Sequence, residues 1–593
     1  MKIQIRNILA SLCALALSWS PAFSAPARAQ GTMSAVLQSV IDDHWAWVLS
    51  ENPTFATSLG VRDYDDRLGD ASLEAVDRSV AKTAAFVARL EDIDPGQLSA
   101  DEQVNYKLLL LQLKNNVEAA QYGGKYLLMS NRNGPHTFLT GLPDRLPFFT
   151  KADYESYLAR MGDMPRYLSE ATETLRAGVA AGWTQPCAPM TGVEESIRYH
   201  VIENVDDSVF MKPFEEKPAT ISSRDWKRLK SNAKKTAMRK VIPALAQYAD
   251  FYAEEYAPAC REEIGALALP DGDAYYAYRA RLFTTTDKTP EEIHQLGLRE
   301  VARIRGEMLE VIDAVGFEGD FKAFQEFLRT DPQFYAKTPE ALIAAASVIA
   351  KKADGELPTL FTRLPRMPYT IKPVPADIAE GTTTAYYERP AGDGSRAGVY
   401  RVNTSLLDQR PLFELEALTL HEAVPGHHFQ IALSQELTLP DFRKFGGFTA
   451  FTEGWGLYAE SLGLDAGFYK DPYANFGRLS YEMWRACRLV VDTGIHAKGW
   501  TKQQAVDFMA DNTALSLHNI EAEVNRYITW PGQALAYKMG ELKMQELRAR
   551  ASAALGPDFD LRRFHDALLE NGALPLSVLE ENIDAWIAAE KDR

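Results

Sequence analysis

Leu418-Thr419-Leu420-His421-Glu422-Ala423-Val424-Pro425-Gly426-His427-His428-Phe429 gathers three of the ten histidines of the chain into eight residues. Leu418 and Leu420 precede them, and Phe429, Ile431 and Leu433 follow, which predicts a buried, helical segment. Three imidazoles and a carboxylate in such a setting are costly unless they have partners. His421-Glu422 is also the opening of the H-E-x-x-H pattern. There, histidines at i and i+4 share a helix face toward zinc, and the Glu between them reaches the reacting water.

The segment departs from that pattern, because position i+4 is Pro425. On an ideal helix His421 and His428 share a face but stand roughly 10–11 Å apart along the axis. That is long for two Zn–N bonds of about 2.0–2.1 Å. Pro425 lacks an N–H and its ring clashes with the carbonyl of residue 421, while Gly426 permits unusual backbone angles. A bulge or kink absorbing two residues would bring His427 to the place normally held by i+4. His421 and His427 are therefore the expected ligands, with His428 supporting the site or facing substrate. The alternative exchanges the roles of His427 and His428.

Downstream, Phe448-Thr449-Ala450-Phe451-Thr452-Glu453-Gly454-Trp455-Gly456-Leu457-Tyr458-Ala459-Glu460 reads as another apolar helix. Catalytic zinc sites commonly add a carboxylate and leave one position for water. Glu453, in a glycine-flanked stretch where helices can approach closely, is the expected third ligand. Glu460, two turns along the same face, is expected to support a ligand from behind.

Upstream, helix signals dominate. Thr289-Pro290-Glu291-Glu292 supplies an N-cap, a proline at the first helical position and a Glu at the third. Ile293, Leu296, Ile304, Met308 and Val311 then recur at helical spacing. Thr338-Pro339-Glu340 starts a second helix and Thr501 with Gln504 a third; residues 36–130 and 152–180 also read as helical. The exception is 362–404, where prolines at 365, 368, 373 and 375 exclude a continuous helix. Thr382 to Tyr387 is β-rich, Gly398 to Val402 alternates, and Asp393-Gly394 between them is a turn signal. The fold expected is mainly α, with a small β hairpin or sheet just before the metal helix.

The N-terminus has Lys2 and Arg6, an apolar run from Ile8 to Trp19, and Ala27-Arg28-Ala29. This is the pattern of a secretory signal peptide over 1–29, followed by one catalytic region over 30–593. The protein is thus expected to be exported, periplasmic or extracellular, with no membrane association after cleavage. A net charge of −17 argues against a nucleic-acid partner, which needs clustered Lys and Arg. Export allows a disulfide between Cys187 and Cys260; three free buried thiols, Cys487 included, is the other reading. No G-x-S-x-G elbow suggests a serine hydrolase.

The chain resembles the bacterial domain-of-unknown-function 885 family, whose members carry H-E-x-x-P-G-H-H followed by T-E-G-W-x-x-Y-x-E. Here those residues are His421 to His428 and Thr452 to Glu460. The likeness extends through Arg485 to His496 and Glu523 to Lys538. By analogy the family looks like a divergent branch of helical gluzincin peptidases, which implies a large two-lobed helical fold. The expected activity is hydrolysis of peptide bonds with Zn2+ as cofactor, Glu422 being the general base. Donors for the oxyanion are sought in the two downstream motifs: Tyr527 and His496 first, then Arg526, Tyr537 and Lys538, with His428, Arg526 and Tyr537 as substrate-binding groups. Competing readings are a hydrolase of a small amide or cell-wall fragment and a non-catalytic metal or peptide binder, although intact Glu422 argues against the latter.

Overall fold

The computed structural model describes residues 27–379 and 382–593. Residues 1–26, which hold nearly all of the expected signal peptide, lie outside the described residues. Helices form most of the rest, and the capped ones begin where the sequence places them. At Pro290–Val315, Thr289 Oγ1 accepts from the Glu292 amide at 3.2 Å and Glu292 Oε2 accepts from the Thr289 amide at 2.8 Å. A cap of this kind contributes about 1 kcal/mol. Ile293, Ile304, Met308 and Val311 are buried, and Leu296 is partly so. The helix packs along Pro472–Lys498, the longest buried helix beside the histidine segment. No described helix is long and apolar enough to cross a membrane.

The proline-rich interruption folds as a three-stranded sheet, with β1 (Tyr369–Pro373), β2 (Ala385–Glu388) and β3 (Gly398–Val402) in the order β1-β3-β2. β2 and β3 pair antiparallel, as the Asp393-Gly394 turn requires, and β1 adds in parallel on the other side of β3. Pro373 ends β1, an edge strand, where a missing N–H is tolerated. The central strand is the buried one, and Tyr400 from it reaches Thr419 Oγ1 at 3.4 Å.

Two large apolar cores organise the helices. One is drawn from residues 129–256 with Leu68. The other joins residues 37–113 to 304–587 and encloses the histidine segment. Cys187 and Cys260 are disulfide-bonded, with Cα atoms 5.0 Å apart, and Cys487 is a buried free thiol.

Candidate metal centre

The histidine segment is two helices separated by a break, rather than one helix carrying a bulge. Leu415–Glu422 ends at Ala423 (φ −99°, ψ −110°), and His427–Glu436 begins after Gly426 (φ −75°, ψ −129°), with a cis peptide between Val424 and Pro425. The His428 amide donates to the Ala423 carbonyl at 3.1 Å, and Trp455 Nε1 donates to the Pro425 carbonyl at 2.8 Å. These bonds satisfy groups that the break would orphan. Gly426 is required by space: a Cβ there would stand 1.9 Å from the His421 carbonyl oxygen.

The break changes which histidines meet. His421 and His427 have ring centroids 4.6 Å apart at an interplanar angle of 89°. Glu453, on helix Thr449–Asp465, brings Oε2 to 3.4 Å from His427 Nε2 and 4.0 Å from His421 Nε2. One ligand atom from each of the three residues falls within a common 4.8 Å. Tetrahedral bonds of about 2.0–2.1 Å put neighbouring ligand atoms roughly 3.3 Å apart, so this spacing fits a zinc-sized cation with small adjustment. The donor set, two imidazoles and a carboxylate, is also one that zinc takes.

Supporting contacts aim the first imidazole. His421 Nδ1 lies 2.7 Å from Glu460 Oε1, and Arg485 Nη2 is 3.3 Å from that same oxygen. Burial pushes the Glu460 carboxyl up to about 8, with the Arg485 guanidinium opposing the rise. A carboxyl oxygen that accepts from Nδ1 leaves the Nε2 lone pair facing Glu453. Burial, with His427, Arg485 and Arg488 adding, holds His421 far below the ordinary histidine range, so it is neutral. Burial opposes charge on Glu453 too, but the His427 hydrogen bond and the Arg526 and Arg488 charges bring its pKa down. Glu422, the last residue of its helix, is buried beside the trio. Burial pushes its carboxyl up to about 7, with Glu453 adding to the rise and His427 and Arg485 opposing it. A cation held by the trio would lower it again.

The remaining expected site residues divide. His428 faces away from the trio: Nε2 donates to the Met367 carbonyl at 2.9 Å, Nδ1 accepts from Tyr387 Oη at 2.9 Å, and the ring packs on Tyr369. With both nitrogens occupied it ties its helix to the sheet region, and the expectation that it meets substrate is corrected. His496 is likewise saturated. It accepts from the Ala266 amide at 3.0 Å through Nδ1 and donates to the Tyr527 carbonyl at 3.0 Å through Nε2, and burial holds its pKa down to about 3. Tyr527 accepts from Trp484 Nε1 at 2.8 Å and Arg488 Nε at 2.9 Å, enclosed in the core. The Tyr527 hydroxyl hydrogen goes to Glu523, so neither member of that preferred pair turns a donor toward the trio. Lys538 is fully buried between Glu482 and Glu541, each at 2.9 Å, with Glu300 at 3.3 Å, and is a structural cation.

Tyr537 is the tyrosine beside the site. Its ring stacks on His421 with centroids 6.4 Å apart, and its hydroxyl accepts from Arg526 Nη2 at 3.3 Å. Arg526 also donates to Glu523 at 2.8 Å and to Gln533. Sequence reasoning gave no role to Arg485, Arg488 or Glu523. Arg485 and Arg488 lie three apart on one buried helix, and two buried arginines at that spacing are the signal that could have found them.

The chain belongs to the family described as bacterial proteins of unknown function, DUF885, whose model matches residues 53–583. Comparison with curated proteins finds no match. Among solved structures it is similar to a candidate lipoprotein from Colwellia psychrerythraea, at 28% identity and a TM-score of 0.87, covering 94% of this chain and 99% of that one. It also shares the fold of a candidate lipoprotein of unknown function from Shewanella oneidensis, at 19% identity and a TM-score of 0.66, covering 93% and 99%.

Proposed function

We propose that this protein is an exported zinc-dependent hydrolase of peptide bonds, with Glu422 as the general base. The observation that carries the reading is the meeting of His421, His427 and Glu453 within 4.8 Å, beside a buried carboxyl that needs no ligand role. Export is supported by the basic-apolar-small pattern at the N-terminus. The Cys187–Cys260 disulfide and the likeness to two candidate lipoproteins support it as well.

His421, His427 and Glu453 would hold the ion. Bound there, zinc supplies Lewis acidity to the scissile carbonyl and to the attacking water. Glu422 takes a proton onto a carboxylate oxygen as the water attacks, and returns it to the departing amine nitrogen. Glu460 fixes the His421 ring through Nδ1, so that Nε2 keeps its lone pair toward the ion. Tyr537 is the donor for the oxygen that gains charge, its hydroxyl held by Arg526.

Metal analysis of the purified protein and digestion of a peptide library read by mass spectrometry test the reading together. About one zinc per chain and cleavage of amide bonds are expected. Glu422→Gln keeps the shape and removes the base, so zinc content stays and turnover falls by roughly 10²–10⁴-fold. Loss of zinc in that variant would make Glu422 a ligand, and unchanged turnover would remove it from the mechanism.

A further inference from the structure

Beside the trio, three guanidinium groups converge on one carboxylate. Arg488 Nη2 and Arg526 Nη1 reach Glu523 Oε2 at 3.0 and 2.8 Å, and Arg132 Nη1 stands 4.0 Å from Glu523 Oε1. Three positive charges against one negative leave a cationic surplus in a largely buried place. Hydrogen-bond donors are in surplus too. Arg526 spends its donors on Glu523, Gln533 and Tyr537. Arg488 is 2% exposed, yet its Nη1 is buried without any partner. Among the described residues Arg132 has only the distant Glu523 as an ion-pair partner, although its side chain is no more than 28% exposed. Burial, with Arg526 and Arg488 adding and Glu523 and Tyr537 opposing, lowers the Arg132 pKa. Buried charged donors without acceptors are expensive, and a guanidinium fork fits a carboxylate closely.

Position gives the surplus a meaning. Arg488 Cζ lies 4.3 Å from the Tyr537 ring centroid, and the other side of the same neighbourhood is His421, stacked on Tyr537 at 6.4 Å. One aromatic ring therefore lies between Arg488 and His421. The two distances bound the path at about 11 Å, and an extended peptide advances about 3.3–3.6 Å per residue, so it corresponds to at most about three residues. Arg132 comes from the segment between Tyr126 and Pro135, on the smaller core's side of the molecule, and its neighbour Asn131 accepts from Thr529 Oγ1 at 3.0 Å. The arginine is thereby pinned against helix Leu517–Thr529, which carries Glu523 and Arg526.

We propose that Arg132, the partly exposed member of the three, receives the terminal carboxylate of a short peptide with the buried charges of Arg488 and Arg526 behind it, so that cleavage occurs within about three residues of the C-terminal end. This rests on the reading of His421, His427, Glu453 and Glu422 as a peptidase centre. The reaction is simple hydrolysis. The C–N bond breaks, water gives a hydroxyl to the acyl carbon and a proton to the amine, and the substrate carboxylate beside the arginines is unchanged.

The test uses the zinc-loaded full chain and three peptides of one sequence: a free acid, a C-terminal amide, and an amide ending in Asp. The free acid should exceed the plain amide in kcat/KM by about 10–100-fold, the effect of losing charged hydrogen bonds, with C-terminal fragments of one to about three residues released. Arg132→Gln should shrink that ratio to within a few-fold. Equal rates for acid and amide, or internal fragments as products, would overturn the proposal. A high rate on the Asp amide would overturn it as well, by assigning the subsite to acidic side chains. Calorimetric binding of acid and amide to Glu422→Gln separates the two readings. Preference for the acid without turnover by the wild type keeps the carboxylate subsite and sinks only the peptidase centre, whereas turnover without preference sinks only the subsite.

Discussion

The His421–His427–Glu453 trio and the His496–Tyr527 neighbourhood are both buried, both rich in His, Arg and Glu, and both come from motifs that drew attention in the sequence. They differ in saturation. Around His496 and Tyr527 the ring nitrogens meet a backbone amide and a carbonyl, and the phenol oxygen meets an indole and a guanidinium. Around the trio, two imidazole nitrogens and a carboxylate oxygen converge across 3.4–4.0 Å, with one hydrogen bond, His427 to Glu453, among them. A closed network of hydrogen bonds rigidifies a core, while ligand atoms converging with few hydrogens between them suit a cation. Burial and residue type are alike in the two places; the count of hydrogens tells them apart.

The sharpest way to break that contrast is to exchange the two adjacent histidines. His427→Ala should weaken zinc binding by more than the roughly 10–100-fold that follows loss of a supporting partner. His428→Gln should retain the metal and lose stability instead, since it cuts the links to Tyr387 and Met367. Zinc titration with a competing chelator measures both, and retention by His427→Ala would refute the trio. Next in size, Tyr537→Phe should lower kcat by about 10²–10³-fold with folding intact, as loss of an oxyanion donor does. Tyr527→Phe should leave kcat near wild type and lower the melting temperature. The reverse pattern would restore the expectation drawn from the sequence.

The sequence could not choose between the two tyrosines for a physical reason. Tyr527 and Tyr537 sit in one motif, and nothing in their spacing says which phenol faces the ion, because Trp484 and Arg488 arrive from a helix some forty residues away. Caps are local, so Thr289 and Thr501 were readable. The position of Glu453 was readable because the glycines around it mark a close helix contact. The Pro-Gly pair announced a disturbance at 425–426, and the non-helical backbone at both Ala423 and Gly426 makes it a full break rather than a bulge. Arg132 was not legible, since a residue almost four hundred positions upstream of Glu523 meets it only in the folded chain.

A smaller effect tests the support behind His421. Glu460→Gln replaces the carboxyl that meets Nδ1 with an amide and should lower zinc affinity about 10–100-fold, measured by the same titration; an unchanged affinity would make the contact incidental. The smallest expected effect is on stability. Glu414 lies in the large core near Arg485 and Arg410, and burial pushes its carboxyl up to about 8. Its folded pKa exceeds the ordinary 4.5, so its contribution is full below pH 4.5 and is lost as pH rises toward 8. On the order of 3–5 kcal/mol is the upper bound over that window. The melting temperature should therefore fall by several degrees between pH 5 and pH 8.5, and Glu414→Gln should flatten the fall. A slope untouched by the substitution would assign it to other groups.

Gly454 and Gly540 bring helices Thr449–Asp465 and Ala536–Leu555 into bare backbone contact: a Cβ on Gly454 would lie 2.5 Å from Gly540 Cα, and one on Gly540 would lie 1.8 Å from the Ala450 carbonyl oxygen. Glu453 precedes the first glycine, and Tyr537 stands three residues before the second. The main-chain spacing of these two residues is thus set by the helix contact itself, and any side chain added at either glycine would push apart the carboxylate expected on the ion and the phenol expected on the oxyanion.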